Sequence, residues 1–524
     1  MEEKYVFGID LGTTYSCISY LDENGQHVTC RSVEGQETVP SVVRMQEGTE
    51  PVVGESAKNN AIMFPEDTIM FVKTHIGRDN FVNYGQDYSK EISPVSVSAK
   101  ILEKLANDAS IYTNSVVKRV VITVPAYFGQ AEKEATRNAG LEAGLDVISI
   151  VEEPTASAIY YGLNSSKEPE TIMVFDLGGG TFDITAMKIE DKNFRVLTTD
   201  GNHDLGGKNW DAKLIELVKE KFSEETGYDE DYDIDIEQEL AINCEKAKFA
   251  LTGSEVANVS LRIDRQHAAN ITVTRQEFEE STKTLLYTAI DLTKSVYDRL
   301  EEKPTKILLV GGSSYMPQVK AAIEENFPDL QIFINEPNTS VSKGASIYAY
   351  TCLVEEVENK PVTTPVPGPI PAPVPGPIDP ERKRVLEGYG DGIKTIGEIN
   401  VQSVTTKSLG VRMLLNNQPK INNIIFKDSL LPITNSEVYG TNGDNATNLP
   451  IKIYQSTYMD EFYEIDEDLY LGETTLSIPP GLPAGSPIEV TIGVEKDGLV
   501  VVRAVDKTRN LDVKAEFNCE IATK

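Results

Sequence analysis

Two copies of one pattern constrain this chain more than anything else in it: an apolar strand, Asp-Leu-Gly, a turn of small residues, then a second apolar strand. The first copy is YVFGIDLGTTYSCISY, residues 5–20, and the second contains VFDLGGGTFD, Val174 to Asp183. With Asp10 set against Asp176, Leu11 meets Leu177, Gly12 meets Gly178 and Ile18 meets Ile184, an offset of 166 residues. Repetition of a whole unit suggests a duplicated lobe, with two turns facing across a cleft. Gly178, Gly179 and Gly180 let the main chain approach a ligand closely. Successive exposed N–H groups at such a turn make an anion cradle. Asp176 and Asp183 beside it would repel a bare phosphate, so the arrangement makes sense with a cation, and Mg²⁺ is the usual companion of a polyphosphate. A glycine-rich hairpin turn remains the other reading of either copy taken alone.

A chain of 524 residues calls for more than one core. Its net charge of −33 argues against nucleic acid or an anionic membrane surface as the main partner. It leaves room for a nucleotide, which arrives with its own cation. The five cysteines are scattered, without a CxxC, and the four histidines have no metal-ligand spacing, so neither a disulfide framework nor a zinc site is suggested. The start, MEEKYVFGID, lacks a basic n-region and runs straight into a strand, and no apolar run reaches spanning length. The expected compartment is the reducing cytoplasm.

The first copy continues through Asn24-Gly25, a hairpin signal, into His27–Cys30. This is a β-meander, unlike the strand-to-helix step of a P-loop, and no GxxxxGK[ST] occurs. A buried strand ends at Pro125, a helix is predicted over Gln130–Ala143, and the strand Val147–Val151 leads into Glu152-Glu153-Pro154 at a helix start. Two acids there suit a helix N-terminus, or one of them points into the cleft and orients a water. Lys73 is either a solvated lysine or a point charge on a transferring phosphate. Leu205-Gly206-Gly207 precedes a helix from Trp210 to Phe222. On the next helix, Glu237–Leu251, the residues Glu245, Lys248 and Thr252 share a face. Lys306–Val310 is a strand entering Gly311-Gly312, which permits close backbone approach to a base or ribose.

Nine prolines between Pro361 and Pro380 form a polyproline-II spacer, roughly 60 Å long if extended at ~3.1 Å per residue. A PxxP ligand for an SH3-like partner is the alternative. Three parts are expected: residues 1–356, a Pro-rich linker at 357–399, and a strand-rich module at 400–524 that ends without a long helix. The hairpin from Ser486 to Ala504, turning at Asp497-Gly498, marks that module as a β-sandwich.

At this point a resemblance is evident. IDLGTTYS (Ile9–Ser16), VVITVPAYF (Val120–Phe128), VFDLGGGTFD and ILLVGGSSYMP (Ile307–Pro317) are similar to the signature segments of the 70-kDa heat-shock protein (DnaK-like) chaperones. KTHIGR, EEPTASAIYYGL, LGGKNWD and CEKAKFALT stand in matching order, as do KSLGV, TNGDNATNLPIKIYQ and VEKDGLVVVRAVDK beyond the linker. The resemblance implies a two-lobed, actin-like (ribonuclease H-like duplicated) α/β ATPase domain and an all-β sandwich that binds peptides. It implies ATP/ADP and Mg²⁺ as cofactors, with K⁺ a further candidate, and a role in protein folding and the stress response.

Carried over residue by residue, Gly12, Thr13, Thr14 and Tyr15 bind the phosphate side of the nucleotide with Gly178, Gly179, Gly180, Gly206 and Gly207. Lys73 stabilises the γ-phosphate and the attacking water, and Glu153, directly before Pro154, orients that water. Asp10, Asp176 and Asp183 hold Mg²⁺ largely through waters, and Thr181 contacts the γ-phosphate. Glu245, Lys248, Thr252, Gly311, Gly312 and Ser313 frame the adenosine. In the β-module, Val411, Met413, Leu414, Tyr439, Asn442, Leu449 and Ile451 hold an extended hydrophobic peptide, though some of these equally fill a sandwich core. Unfolded polypeptide, a J-domain co-chaperone and a nucleotide exchange factor are the implied partners. The family's short linker has no counterpart here and its helical lid is expected to be missing, and Phe249, Tyr315 and Asn338 replace commonly polar or charged positions around adenosine. A nucleotide-gated scaffold or filament protein with weak or no hydrolysis is one alternative. A small-molecule kinase on the same fold is another.

Overall fold

The computed structural model describes residues 2–46, 48–78, 81–163, 168–334, 336–357, 380–389, 393, 399–445, 447–478, 480–496, 498, 500–509 and, as backbone, 511–513. The proline tract, Asp497 and Cys519 lie outside the described residues.

The first lobe is built on β1 (Phe7–Asp10), β2 (Tyr15–Leu21), β3 (His27–Thr29), β4 (Arg119–Val124) and β5 (Asp146–Glu152). The helices α1 (Pro94–Thr113), α2 (Gln130–Glu142) and α3 (Glu153–Leu163) belong to the same lobe. The second lobe has β6 (Glu170–Leu177), β7 (Phe182–Glu190), β8 (Asn193–Asn202), β9 (Lys306–Val310) and β10 (Gln331–Ile334). Its helices are α4 (Gly207–Thr226), α5 (Ile234–Gly253), α6 (Arg275–Arg299) and α7 (Pro317–Asn326), while α8 (Ser340–Val357), next in the chain, packs back on β1, β2 and β4 of the first lobe.

The first sheet runs β5-β4-β1-β2-β3 and the second β10-β9-β6-β7-β8, the same order with every strand shifted by one unit of the repeat. The senses match too. β1 is antiparallel to β2 and parallel to β4; β6 is antiparallel to β7 and parallel to β9. The central strands β4 and β6 are buried almost throughout, which is why their sequences read as unbroken apolar runs rather than alternations. The duplication inferred from Asp10 and Asp176 is therefore a duplication of topology. Where α3 crosses α8, a Cβ on Gly344 would fall 1.7 Å from the Ala156 carbonyl oxygen, so only glycine allows that approach.

Capping fixes the long helix α6. Thr274 Oγ1 accepts from the Glu277 N–H, and Glu277 Oε2 accepts from the Thr274 N–H at 2.8 Å. Hydrogen bonding to Lys221 first, then to Thr274, holds the Glu277 carboxyl down at about 2. A carboxyl depressed in the folded state stabilises the fold above its ordinary range and ceases to do so as pH falls through the folded value. Glu277→Ala is expected to cost about 1 kcal/mol at neutral pH. The gap to the parent should narrow as pH drops from 4.5 toward 2, read by urea unfolding across that range.

Beyond the proline tract, Pro380–Gly388 forms α9 and Asn400–Gln402 forms β11. Both fall on or beside the stretch expected as an extended linker. Val385, Tyr389 and Ile393 recur every fourth residue and are buried in the core of the first lobe. The Tyr389 hydroxyl accepts from the Val6 N–H at 3.1 Å, and Glu381 pairs with Lys118 at 2.6 Å. β11 then adds to the second sheet as a parallel neighbour of β8, with Val401 opposite Phe194. An amphipathic stripe overrides the extended tendency set by the prolines just before it.

The remaining unit is a two-sheet antiparallel sandwich. One sheet comprises β12 (Ser408–Leu415), β13 (Gln418–Ile425), β15 (Asn448–Ser456), β16 (Phe462–Tyr463) and β17 (Tyr470–Ser477), in the order β16-β13-β12-β15-β17. The other runs β14 (Ile433–Gly440), β18 (Pro487–Val494), β19 (Val500–Asp506) and β20 (Leu511–Val513). Alternate inward residues such as Ile488, Val490 and Ile492 form its core. This unit touches the lobes: Ser403 donates to Glu152 at 3.1 Å, Thr198 to Asp428 at 3.2 Å, and Lys496 pairs with Glu355 at 3.3 Å.

Candidate functional site

The two turns of the repeat face each other. A Cβ on Gly179 would lie 2.2 Å from Thr14 Oγ1, and one on Gly180 would lie 2.6 Å from Thr13 Cγ2. Each turn is braced by its own lobe. Ser41 Oγ donates to the Gly12 carbonyl at 2.7 Å, while Ser313 Oγ and the N–H of Gly207 donate to the Gly178 carbonyl at 2.8 and 3.0 Å. Gly311, at φ +81°, sits beside Asp176 Oδ1 in a conformation that favours glycine.

Between the turns lies a cleft of about 420 Å³. Asp10, Gly12, Thr13, Thr14, Tyr15, Lys73, Glu153, Asp176, Gly178, Gly179 and Thr181 line it at one end, with Glu245, Lys248, Thr252, Gly311, Gly312 and Ser313 toward the other. Gly180, Gly206, Gly207 and Asp183 do not reach its surface among the lining residues and stand behind it. At its floor Lys73 Nζ is 2.5 Å from Glu153 Oε1, both side chains largely buried. The adjacent Glu152 faces elsewhere, paired with Lys133 at 2.8 Å and with Ser403. Burial, the largest influence, would raise its carboxyl, but Lys133 together with hydrogen bonds from its own backbone N–H and Ser403 holds it low. So the two neighbouring acids divide between cleft and domain contact.

Three further carboxylates crowd this floor. Desolvation in the cleft pushes Asp10 up to about 7, with Glu153 adding to the rise and Lys73 opposing it. Burial first, then the Glu153 charge, raise Asp176 and Asp183 well above the usual range, with Asp10 adding to the rise of Asp176 and Asp176 to that of Asp183. Asp183 Oδ1 is buried with no hydrogen-bond partner. A cation fits such a set, since it supplies the missing partner and relieves the mutual repulsion. Among the described residues no three such side chains are placed to ligate one ion directly, which suits an ion bound through waters.

The far end of the cleft is tied across the lobes by Lys58, which pairs with Glu245 at 2.5 Å and donates to the Tyr15 hydroxyl at 2.8 Å. Lys248 is likewise engaged, by Asp211 at 2.7 Å. Phe249 and Asn338, set apart in the sequence as departures, both line the cleft, and Phe249 remains exposed at its rim. Thr38, Met316, Pro337 and Val341 also line it. Met316 falls within the ILLVGGSSYMP segment, whereas nothing in the local sequence marks Thr38, Pro337 or Val341, which distant segments bring there.

A second cavity, about 460 Å³, opens in the sandwich. Val411, Met413, Leu414, Tyr439, Asn442, Leu449 and Ile451 all line it. Val411 and Ile451 are buried and belong to the sandwich core as well, so groove floor and core are one surface. Leu414 and Val438 stand exposed at the rim, and the Tyr439 hydroxyl donates to Asn422 Oδ1 at 2.8 Å. Among the described residues no helix is long and apolar enough to cross a membrane.

The family model for Hsp70 protein matches residues 6–362 and 384–521. It takes in both lobes, the cleft, the second half of α9, β11 and the grooved sandwich, and passes over most of the proline tract and the start of α9. The chain belongs to the Hsp70 family of ATP-dependent chaperones, whose members are ATPases that use Mg²⁺, bind unfolded peptides and work with co-chaperones.

Proposed function

We propose that this chain hydrolyses ATP in the two-lobed, actin-like cleft and uses the nucleotide to control an extended apolar peptide held in the sandwich groove. The buried Lys73–Glu153 pair, set between two opposed Gly/Thr turns, carries this reading. Phosphoryl transfer needs positioning and charge neutralisation more than covalent chemistry. Gly12, Thr13, Thr14 and Tyr15 on one side and Gly178, Gly179 and Thr181 on the other enclose the phosphates. Lys73 places a positive charge on the transferring group, and Glu153, held by that lysine, orients the attacking water. Mg²⁺, when bound through waters by Asp10, Asp176 and Asp183, neutralises polyphosphate charge. Glu245, Lys248, Thr252, Gly311, Gly312 and Ser313 frame the nucleoside. In the groove, strand-like backbone pairing supplies affinity and the apolar floor supplies preference. Cys17, Cys30 and Cys244, buried and outside any disulfide, suit a reducing cytoplasm.

The test is turnover of MgATP by the purified chain, with and without an extended apolar peptide, together with peptide anisotropy with and without ATP. Slow turnover, raised by peptide and by a J-domain protein, and weaker peptide binding with ATP are expected. ATP bound without turnover would instead favour the nucleotide-gated scaffold. Filling the groove floor gives an independent check. Val411→Phe overpacks a site where Val411 is 4% exposed, and peptide affinity should fall at least about tenfold with ATP turnover retained.

A further inference from the structure

Phe71 is the residue on which the cleft's lysine turns. It precedes the 3₁₀ turn Val72–His75 that carries Lys73, and its backbone is left-handed, φ 59° and ψ 24°. Its carbonyl closes that turn by accepting from the Thr74 N–H at 3.0 Å and from Thr74 Oγ1 at 2.9 Å. Of the ten non-glycine residues at positive φ among those described, seven are Asp or Asn, the types that tolerate it. A phenylalanine does not, so something outside the backbone holds it there.

Its ring borders an apolar cavity of about 150 Å³ between the lobes. Phe71, Met70 and Val42 line it from the first lobe, and Ala212 and Ile215 of α4 with Ile242 of α5 line it from the second. Thr13 and Thr14 of the phosphate-facing turn border the same space. The ring is only half-buried, and the unfilled volume beside it leaves room to move. We infer that Phe71 is a positioning residue for Lys73 whose seat the second lobe completes, so that closure of the lobes sets the lysine. The inference rests on the reading of Lys73 as the charge on the transferring phosphate. When the lobes part, the seat is lost, the left-handed backbone at Phe71 loses its support, and the turn bearing Lys73 relaxes.

Phe71→Ala removes the ring and leaves a residue that does not favour the left-handed backbone. Single-turnover ATP hydrolysis should slow about tenfold while the ATP dissociation constant stays within about twofold. Amide exchange over residues 72–76, measured without nucleotide, should quicken about tenfold. Ile215→Ala, on the opposite lobe, should shift both readouts the same way by about threefold. The double variant should be no slower than Phe71→Ala alone, and Phe71→Leu, which refills the seat, should restore most of the rate. Wild-type hydrolysis by Phe71→Ala in an active parent overturns the inference, and so does unchanged exchange over 72–76 in Ile215→Ala. If the parent itself hydrolyses no ATP, the proposed ATPase fails, and the exchange measurements still decide whether the second lobe holds this turn.

Discussion

Lys73→Ala is expected to slow ATP hydrolysis by roughly 100–1000-fold, the usual cost of removing one preorganised charge from a developing transition state, with ATP still bound. Lys73 is 5% exposed and meets Glu153 at 2.5 Å in a floor that also holds Asp10 and Asp176. Without it, phosphoryl oxygens would enter a site of uncompensated carboxylates. The contacts that hold the nucleoside and the braced turns at Gly12 and Gly178 are untouched, so binding should fall far less than rate. The substitution also strands a buried carboxylate, which costs about 1–3 kcal/mol, so the melting temperature should drop. Lys73→Ala with Glu153→Gln separates the two effects, because it removes the stranded charge, recovers stability and leaves hydrolysis as slow. Single-turnover rates and thermal denaturation of the parent, single and double variants provide the measurement. Unchanged turnover in Lys73→Ala would take this lysine out of the chemistry.

Much of the cleft between the lobes was legible because its signals are local. Asp10-Leu11-Gly12 and Asp176-Leu177-Gly178 end central strands whose burial forces apolar runs, and the glycine turns are demanded by backbone approach. Helical spacing put Glu245, Lys248 and Thr252 on one face, and all three line the cleft. What sequence left open is decided by partners far along the chain. Glu152 and Glu153 are chemically alike, and only Lys133, Ser403 and Lys73 assign one to the domain contact and the other to the cleft. Phe71 reads as an ordinary core aromatic, because nothing in MFVKTH announces a left-handed residue. The expected linker departs from the structure for a different reason. The stripe Val385, Tyr389 and Ile393 was present at helical spacing, but nine prolines dominated the reading of the segment around it. The charges that anchor α9, Glu381 on Lys118 and Arg382 near Asp146, join residues more than two hundred positions apart.

The same segment gives the second large expected effect. Val401→Asp should make peptide affinity indifferent to ATP while hydrolysis in the cleft continues. Val401 is 7% exposed, lies in a core shared by the two sheets with Phe194, Ile399 and Val404, and pairs by backbone with β8 of the second sheet. An aspartate there has no partner for its charge, a penalty on the order of 3 kcal/mol or more, which three residues of β11 pairing cannot offset. Among the described residues the other ties between sandwich and lobes include Ser403–Glu152, Thr198–Asp428 and Lys496–Glu355, with Gln455 packed on Gly129 and Gly498 beside Lys133. Ser403–Glu152 and Thr198–Asp428 are part-buried hydrogen bonds to carboxylates, worth about 1.5–3 kcal/mol each, and Lys496–Glu355 is a more exposed pair worth about 0–1 kcal/mol, so docking should weaken markedly once β11 leaves. Undocking should appear as a larger radius of gyration in solution scattering and as equal peptide anisotropy with and without ATP. Lys73 and both glycine turns lie outside β11, so basal turnover should stay within about twofold, apart from losing its response to peptide. Glu152→Gln is the graded comparison: it weakens one contact, leaves β11 paired and should diminish the ATP effect without abolishing it. If Val401→Asp releases the sandwich and ATP still lowers peptide affinity, the coupling does not run through β11; if the sandwich stays docked, β11 is not what holds it.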